Sequence, residues 1–419
     1  MKEQLQLAYI IGTFPNITTT FIDREIRVLR QLGLDLQTLS IRRPKPGTPL
    51  STEQQVFQQD TIYLLPLNWI RFFISNLYLV LLHPFTYFGT LIYLLSRPHP
   101  NFSARFKSLL HFAEGVYAAY LLRSLPLDRL HAHFLDRAAT VALVAGRFLR
   151  LPYSVTAHAN DIYKDPVLLF EKIKEATFVV TVSQFNKSYI LDLYPDLGSD
   201  KIHVLHPWVD LEHFQPPPTN NTIHDELRVL SVGRLVEKKG HQYLIEACHL
   251  LKLRDVDFEC HIIGDGPLKS ELKADINRYK LQEQVHLLGA QPQSKVLDSL
   301  AWCDVFVLAC VIAQDGDRDG MPVALAEAMA MEVPVISTNI VGIGELVQPG
   351  AGYLTPPNDV VALARAIKSM TSASPAERSR MGKYGRTIIA EEFDVFKGTG
   401  RLAGLFYQTV APKNGVSLQ

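Results

Sequence analysis

Short apolar runs alternate with longer stretches of helical periodicity along most of this chain. Residues 5–11 read as a buried strand ending in Gly12, and the loop TFPNITTT follows. The pattern of FIDREIRVLRQL predicts a helix over about 19–32, closed by Gly33, and residues 34–41 read as a second strand. Strand, loop, helix, strand opens a βαβ unit. Further strands are expected over 128–134, 153–158, 178–183 and 201–205, with helices over 138–149 and along QFNKSYILDLY. The second half is more regular. Strands are expected over 229–232, 258–263, 285–288, 305–309 and 335–338. Helices separate them over 239–254, 268–279 and 294–302, with one opening at Pro322 and another over 359–370. Such alternation implies α/β architecture with doubly wound parallel sheets, whose ligands gather at the carboxyl ends of strands.

Three stretches break the rhythm. Residues 42–60 are polar and Pro-rich and read as a loop. Residues 61–112 are apolar and aromatic, and no acid occurs between Asp60 and Glu114, while Arg71, Arg97, Arg105 and Lys107 do. His83-Pro84 splits this segment, so neither half reaches the ~20 residues of a membrane span. Its composition suits an anionic membrane surface, the plainer alternative being a pair of core helices. Pro216, Pro217, Pro218 and the TNNT that follows suggest a linker. The expected domains are 1–208, a linker over 209–226, and 227–392, with a tail over 393–419 that crosses back to the first domain.

Composition changes the picture in two ways. The formal charge is zero, so nothing at whole-chain level points to nucleic acid. The four cysteines, Cys248, Cys260, Cys303 and Cys310, form no C-x-x-C pair and suit reduced thiols in a cytoplasmic protein. The first residues read as a strand rather than a signal peptide.

The chemistry concentrates in two stretches of the second half. DGMPVALAEAMAM (319–331) sets Asp319 and Gly320 in a loop before a helix that carries Glu327. The two carboxylates can accept from sugar hydroxyls, or can simply belong to a capped, buried helix. GRLVEKKG (233–240) follows a strand. Gly233 allows the sharp turn, and Arg234 and Lys239 bracket a helix start, where they can bind diphosphate oxygens. The plain alternative is surface charge on a turn. No G-x-G-x-x-G and no P-loop G-K-[ST] occurs. DGDRDG (315–320) begins like a calcium loop, but Ala326 stands where the bidentate Glu belongs. In the first half, His131 and His133 share one face of a strand, His158 lies at a strand end, and Asp161 lies just beyond it. Imidazoles there suit an acceptor-hydroxyl site, with a buried core role open for His131.

Taken together, GTFPNITTTFIDREIRVLRQLG, HAHF, YSVTAHANDIY, VSQFNK, VGRLVEKKG, IIGDGPLKSEL, VHLLG and DGDRDGMPVALAEAMA resemble the retaining glycosyltransferases of family 4. The likeness spans both halves and is strongest to members that build exopolysaccharide or colanic-acid-like chains. It implies the GT-B architecture of two facing Rossmann-like domains. It also implies a nucleotide-sugar donor held mainly by the second domain, a glycan or lipid-linked acceptor on the first, and neither metal nor cofactor. By the same likeness Arg234 and Lys239 hold the donor diphosphate beside Gly233, Glu327 binds ribose hydroxyls, and Asp319, with Gly320, contacts the sugar. Gly12 lets a loop approach the donor, and backbone near Gly289 meets the base. His158 lies at the reacting centre, with His133 and Asp161 on the acceptor side. Asp319 departs from the family pattern, which has Glu there.

The expected activity is therefore metal-independent, retaining hexosyl transfer in exopolysaccharide biosynthesis, in the cytoplasm or peripherally at the membrane's cytoplasmic face. A sugar-nucleotide epimerase on the same fold and a non-catalytic sugar-binding subunit are the alternatives. The first needs no acceptor, and the second binds donor without transfer.

Overall fold

The structure, a computed structural model, describes residues 4–16, 19–48, 50–164, 166–217 and 226–409. Parts of the TFPNITTT loop, of the linker stretch and of the C-terminal tail lie outside the described residues. Contacts divide the chain into two compact units. The first comprises Met1–Thr181, Lys187–Leu205 and Thr399–Gln419, and the second Val182–Asn186 and His206–Gly398.

Seven parallel strands form the sheet of the first unit: β1 (Gln6–Thr13), β2 (Asp35–Arg42), β3 (Ile62–Leu65), β4 (Arg129–His133), β5 (Tyr153–Ala157), β6 (Val179–Thr181) and β7 (Ile202–Val204). Their order is β3-β2-β1-β4-β5-β6-β7. Six parallel strands form the second sheet: β8 (Leu227–Val232), β9 (Phe258–Ile263), β10 (Val285–Gly289), β11 (Val305–Leu308), β12 (Val335–Thr338) and β13 (Gly352–Thr355). Their order is β10-β9-β8-β11-β12-β13. Chain direction through each sheet reverses once, between β1 and β4 and between β8 and β11. Loops diverge there and leave a crevice at the carboxyl ends. Helices cover both faces, which is why β4, β5, β11 and β12 are buried at every position.

Most expected elements stand within a residue or two of the pattern. Four readings need correction. Residues 42–60 are not all loop, because Thr52–Asp60 is a helix. Ser51 starts it with a capping box, its hydroxyl accepting from the Gln54 N–H while the Gln54 side chain accepts from the Ser51 N–H. β3, β13 and the helix Pro375–Ile388 were not anticipated. Pro322 is the N-cap rather than the first residue of the helix Val323–Ala330. Finally, segment 61–112 forms β3, the helices Trp69–Leu82 and Pro84–Ser96, and the start of Phe102–Leu122. They are not buried all round: Leu79, Leu94 and Phe112 join the core, while Ile70, Phe73, Leu81, Phe85 and Phe102 are exposed.

Glycine sets the close approach at one crevice. Gly240 caps the helix His241–Lys252 in the left-handed region (φ +66°), and a Cβ there would fall 1.7 Å from the Ala309 carbonyl oxygen. The turn after β8 can lie against the end of β11 only with no side chain at that point. Gly240→Ala is therefore expected to lower stability by at least about 1–2 kcal/mol, the left-handed backbone alone costing that much. Urea denaturation measures it, and a wild-type midpoint would show that the approach is looser in solution.

Candidate active site

In the second unit, β8 and β11 are direct neighbours, pairing Val305 with Val229 and Phe306 with Leu230. The segments that leave their carboxyl ends therefore run side by side. From β8 come Gly233, Arg234 and a turn of 3-10 helix, Glu237–Lys239. From β11 comes the loop 309–322. Two hydrogen bonds join the two: Val311 N–H donates to the Lys238 carbonyl (3.0 Å), and Gln314 N–H donates to the Glu237 side chain at Oε1 (3.1 Å).

Charge completes the junction. Lys239 Nζ lies 2.6 Å from Asp319 Oδ2, and the two side chains are 15% and 14% exposed. Lys238 Nζ, in a residue that is itself buried, lies 3.0 Å from Asp317 Oδ1 and 3.3 Å from Asp319 Oδ1. Burial alone would raise the Asp319 carboxyl, but the Lys239 and Lys238 ammoniums more than offset it and hold it below the ordinary range. Burial likewise works against the Lys239 charge, and Asp319 reverses the effect, leaving Lys239 raised. Arg234 is exposed. The junction thus presents ammonium and guanidinium groups near a helix start, an arrangement suited to phosphate oxygens.

Glycines let this turn seat on its neighbour. Gly233 N–H donates to the Ile263 carbonyl (3.0 Å), and Leu235 N–H to the Asp265 carbonyl (3.0 Å). A Cβ on Gly264 would fall 1.8 Å from the Gly233 oxygen, and one on Gly266 2.5 Å from the Leu235 oxygen. IGDGPLKS is thus a backbone cradle for the β8 turn. Gly289 ends β10 with φ +71°, its carbonyl accepts from Gly264 N–H (2.9 Å), and the space where its Cβ would stand is open. Gly320 is buried and its carbonyl accepts from Gly342 N–H (3.2 Å). Glu327 is half-buried on the helix Val323–Ala330.

The first unit builds its strand ends differently. Tyr9 on β1 donates its hydroxyl to Glu25 Oε1 (2.6 Å), and His133 Nε2 meets the same oxygen at 3.1 Å. His131 has both ring nitrogens bonded to hydroxyls, Nδ1 to Ser154 (2.9 Å) and Nε2 to Thr156 (3.0 Å). It is fully buried, and burial holds it well below its ordinary pKa, so it is a neutral core histidine. Ligand atoms of Glu25, His131 and His133 lie within 4.8 Å of one another, and both His131 nitrogens are taken up by hydroxyls. His158 stands at the end of β5 with its ring against Phe134 (centroids 4.4 Å), Phe21 (4.8 Å) and His133 (5.8 Å). Burial pushes its pKa well down, favouring a neutral imidazole.

Asp161 pins the loops after β4 and β5 together. Its Oδ2 accepts from Leu135 N–H (2.6 Å) and its Oδ1 from His158 N–H (3.1 Å). Burial raises its carboxyl to about 6. It also lines a cavity of about 360 Å³ with Lys107, His111, Arg137, Asn160 and Lys172. Burial pushes the Lys172 ammonium down to about 8 and the His111 imidazole to about 3. Gly12 sits near the end of β1, with open space where a Cβ would be.

Sequence reasoning thus named Lys239 and Asp319, which the fold brings into contact, and His133 and His158, which it stacks. It missed Lys238, Asp317, Glu25 and Tyr9. The Asp-x-Asp-x-Asp spacing of 315–319 was the available signal for Lys238, since buried acids need cationic partners. Nothing in the helical pattern of FIDREIRVL marks Glu25 as buried.

Solved structures share this fold. A glycosyltransferase from Rickettsia africae superposes with a TM-score of 0.72 at 18% identity, covering 98% of this chain and 100% of that one. HepE of Anabaena, solved in complex with UDP and glucose, gives 0.71 at 16%, covering 97% and 100%. At that identity the likeness shows fold alone, and the class it defines is GT-B, built from two Rossmann-like units. Residues 217–388 match the family Glycosyl transferases group 1, and residues 82–213 match Glycosyltransferase Family 4. Each half of the chain thus carries a stretch similar to a glycosyltransferase family, and neither stretch alone reaches half of its length. It is 42% identical over 197 residues to the amylovoran biosynthesis glycosyltransferase AmsK of Erwinia amylovora, covering 47% of this chain and 48% of AmsK. It is 39% identical over 196 residues to WcaL of Escherichia coli, assigned to colanic acid biosynthesis, covering 46% and 48%. The chain spans about half the length of these curated relatives.

The Lys239–Asp319 pair is expected to couple energetically. In a double-mutant cycle of Lys239→Met and Asp319→Asn, urea denaturation should return an interaction energy of about 1–3 kcal/mol. A value near zero would mean that the contact is not held in solution.

Proposed function

We propose that this chain is a retaining, metal-independent glycosyltransferase that moves a hexosyl group from a nucleoside-diphosphate sugar to a glycan or lipid-linked acceptor. Its setting is exopolysaccharide biosynthesis, in the cytoplasm or at the cytoplasmic face of a membrane. The observation that carries the reading is the junction of β8 and β11. There Lys239, preorganised by Asp319, stands on the same turn as the exposed Arg234. The matched glycosyltransferase domains support it, as do relatives named for exopolysaccharide synthesis.

The chemistry follows from those groups. The bond from the sugar C1 to the donor phosphate oxygen breaks while a bond from C1 to the acceptor oxygen forms on the same face. The acceptor hydroxyl proton passes to the leaving phosphate. Negative charge grows on the diphosphate as the bond breaks, and fixed cations stabilise it without reorganising. Lys239 and Arg234 supply that charge, so no divalent ion is needed for it. Gly233 keeps the turn open to phosphate, the backbone at Gly289 borders the base, and Glu327 receives the ribose hydroxyls. Asp319 and Gly320 meet the sugar. On the acceptor side, His158 is held neutral and can accept a hydrogen bond from the acceptor hydroxyl. Asp161 fixes the backbone that carries it, and His133 supports its ring.

Arg234→Ala or Lys239→Ala is expected to lower turnover roughly 100-fold or more, the scale of losing one charge-stabilising donor. Nucleoside diphosphate release in the presence of acceptor and EDTA measures it. Wild-type rates in either variant would remove the clamp assignment. An epimer appearing from donor alone would indicate the epimerase chemistry, and donor binding without transfer a non-catalytic role.

A further inference from the structure

The helices Trp69–Leu82 and Pro84–Ser96, with the first turns of Phe102–Leu122, bury polar side chains and turn large apolar ones outward. Ser75 and Thr90 are buried, at 0% and 2% exposure, while Ile70 is 75% exposed, Leu81 72%, Phe85 92% and Phe102 82%. The inward side is well anchored. Phe72 meets Tyr117 edge-on (centroids 5.7 Å), Tyr87 meets Phe112 (5.0 Å), and Leu79 and Leu94 join the core of the first unit. The outward side clusters exposed large apolar side chains on three packed helices, of the kind that marks an interaction site.

We propose that this face seats the chain on an anionic phospholipid bilayer, lying in the interface without crossing it. Length argues against crossing: helices of 14 and 13 residues span ~21 and ~20 Å, short of a ~30 Å hydrocarbon core. The two are bent by 108° at His83-Pro84, so together they make no straight span. Among the described residues no single helix is long and apolar enough to cross. Charge argues for lipid as the occupant. Arg71, Arg97, Arg105 and Lys107 are all exposed in the segment that carries the apolar side chains, and the sequence places no acid between Asp60 and Glu114. Basic side chains beside exposed apolar ones match the anionic headgroup layer. Trp69 at the start of the first helix, 62% exposed, suits the headgroup level. The inference deepens the reading of a lipid-linked acceptor, which this face would bring within reach. Its test needs neither donor nor acceptor.

The full chain is floated with vesicles of phosphatidylcholine alone and of phosphatidylcholine with phosphatidylglycerol at 7:3. Wild type is expected to float with the anionic vesicles, less so in high salt, with a blue shift in tryptophan emission. The double variant Phe85→Ser/Phe102→Ser changes only exposed side chains and should keep the wild-type thermal midpoint while its partitioning falls at least tenfold. Arg71→Glu/Arg105→Glu should remove the preference for anionic lipid. Failure of wild type to float with either vesicle overturns the proposal, as does unchanged partitioning of the Phe variant. A lipid-free dimer abolished by the Phe variant would assign the face to a second copy instead. Transfer activity is scored separately with Arg234→Ala, so loss of one result leaves the other standing.

Discussion

The contact between Lys239 and Asp319 is the constraint on which the second unit's crevice depends. The turn after β8 and the loop after β11 each carry charge into a poorly hydrated place. Separately, each would leave an uncompensated buried ion, which costs several kcal/mol. Together, two lysines face two aspartates, and both loops are fixed by the pairing. The β8–β11 register makes this possible, since neighbouring parallel strands release their loops at one level. Gly240, Gly264 and Gly266 then permit backbone approaches that any side chain would block. Topology, glycine and charge thus solve one problem jointly.

The first unit has the same switch-point topology between β1 and β4 and fills it with opposite electrostatics. Its strand ends carry imidazoles, hydroxyls and carboxylates that share hydrogen bonds, and burial keeps His131 and His158 neutral. The second unit's strand ends therefore carry lysines paired with aspartates, and the first unit's carry buried neutral imidazoles. Under the proposed function, that difference matches the demands of group transfer. A leaving diphosphate needs positive charge, whereas an acceptor hydroxyl needs a partner that does not itself bind anions.

Much of this was legible in the sequence, for identifiable reasons. Buried parallel strands read as continuous apolar runs, so β9 and β12 were placed at their observed ends. The GRLVEKKG turn and the helix carrying Glu327 were placed after the strands that they follow in the structure. What escaped depends on tertiary partners. β13 is short and half-exposed, and the helix Thr52–Asp60 announces itself only through the Ser51–Gln54 box. Lys238 looks like one more charge in KKG until Asp317 and Asp319 arrive from beyond β11. Glu25 sits in a helix with an ordinary polar pattern, and only Tyr9 and His133 explain its burial. The acid-free segment was visible in composition, but its direction was not, because inverted helices and core helices share the same letters.

The shorter acid at position 319 now has a physical context. Its carboxylate reaches Lys239 at 2.6 Å and Lys238 at 3.3 Å. A glutamate would place the same group one carbon–carbon bond, ~1.5 Å, further along. The aspartate is therefore matched to the lysines, and its charge is held there by an opposing pair. Under the proposed function, a diphosphate arriving at Lys239 would compete for that ammonium and weaken the hold on Asp319. The carboxylate's availability to any other partner would then be coupled to occupancy of the proposed phosphate site, through one shared cation. A longer side chain would escape that coupling, because it could satisfy a hydroxyl without leaving the lysines' field. The substitution bears on how tightly the two contacts are linked more than on whether either can be made.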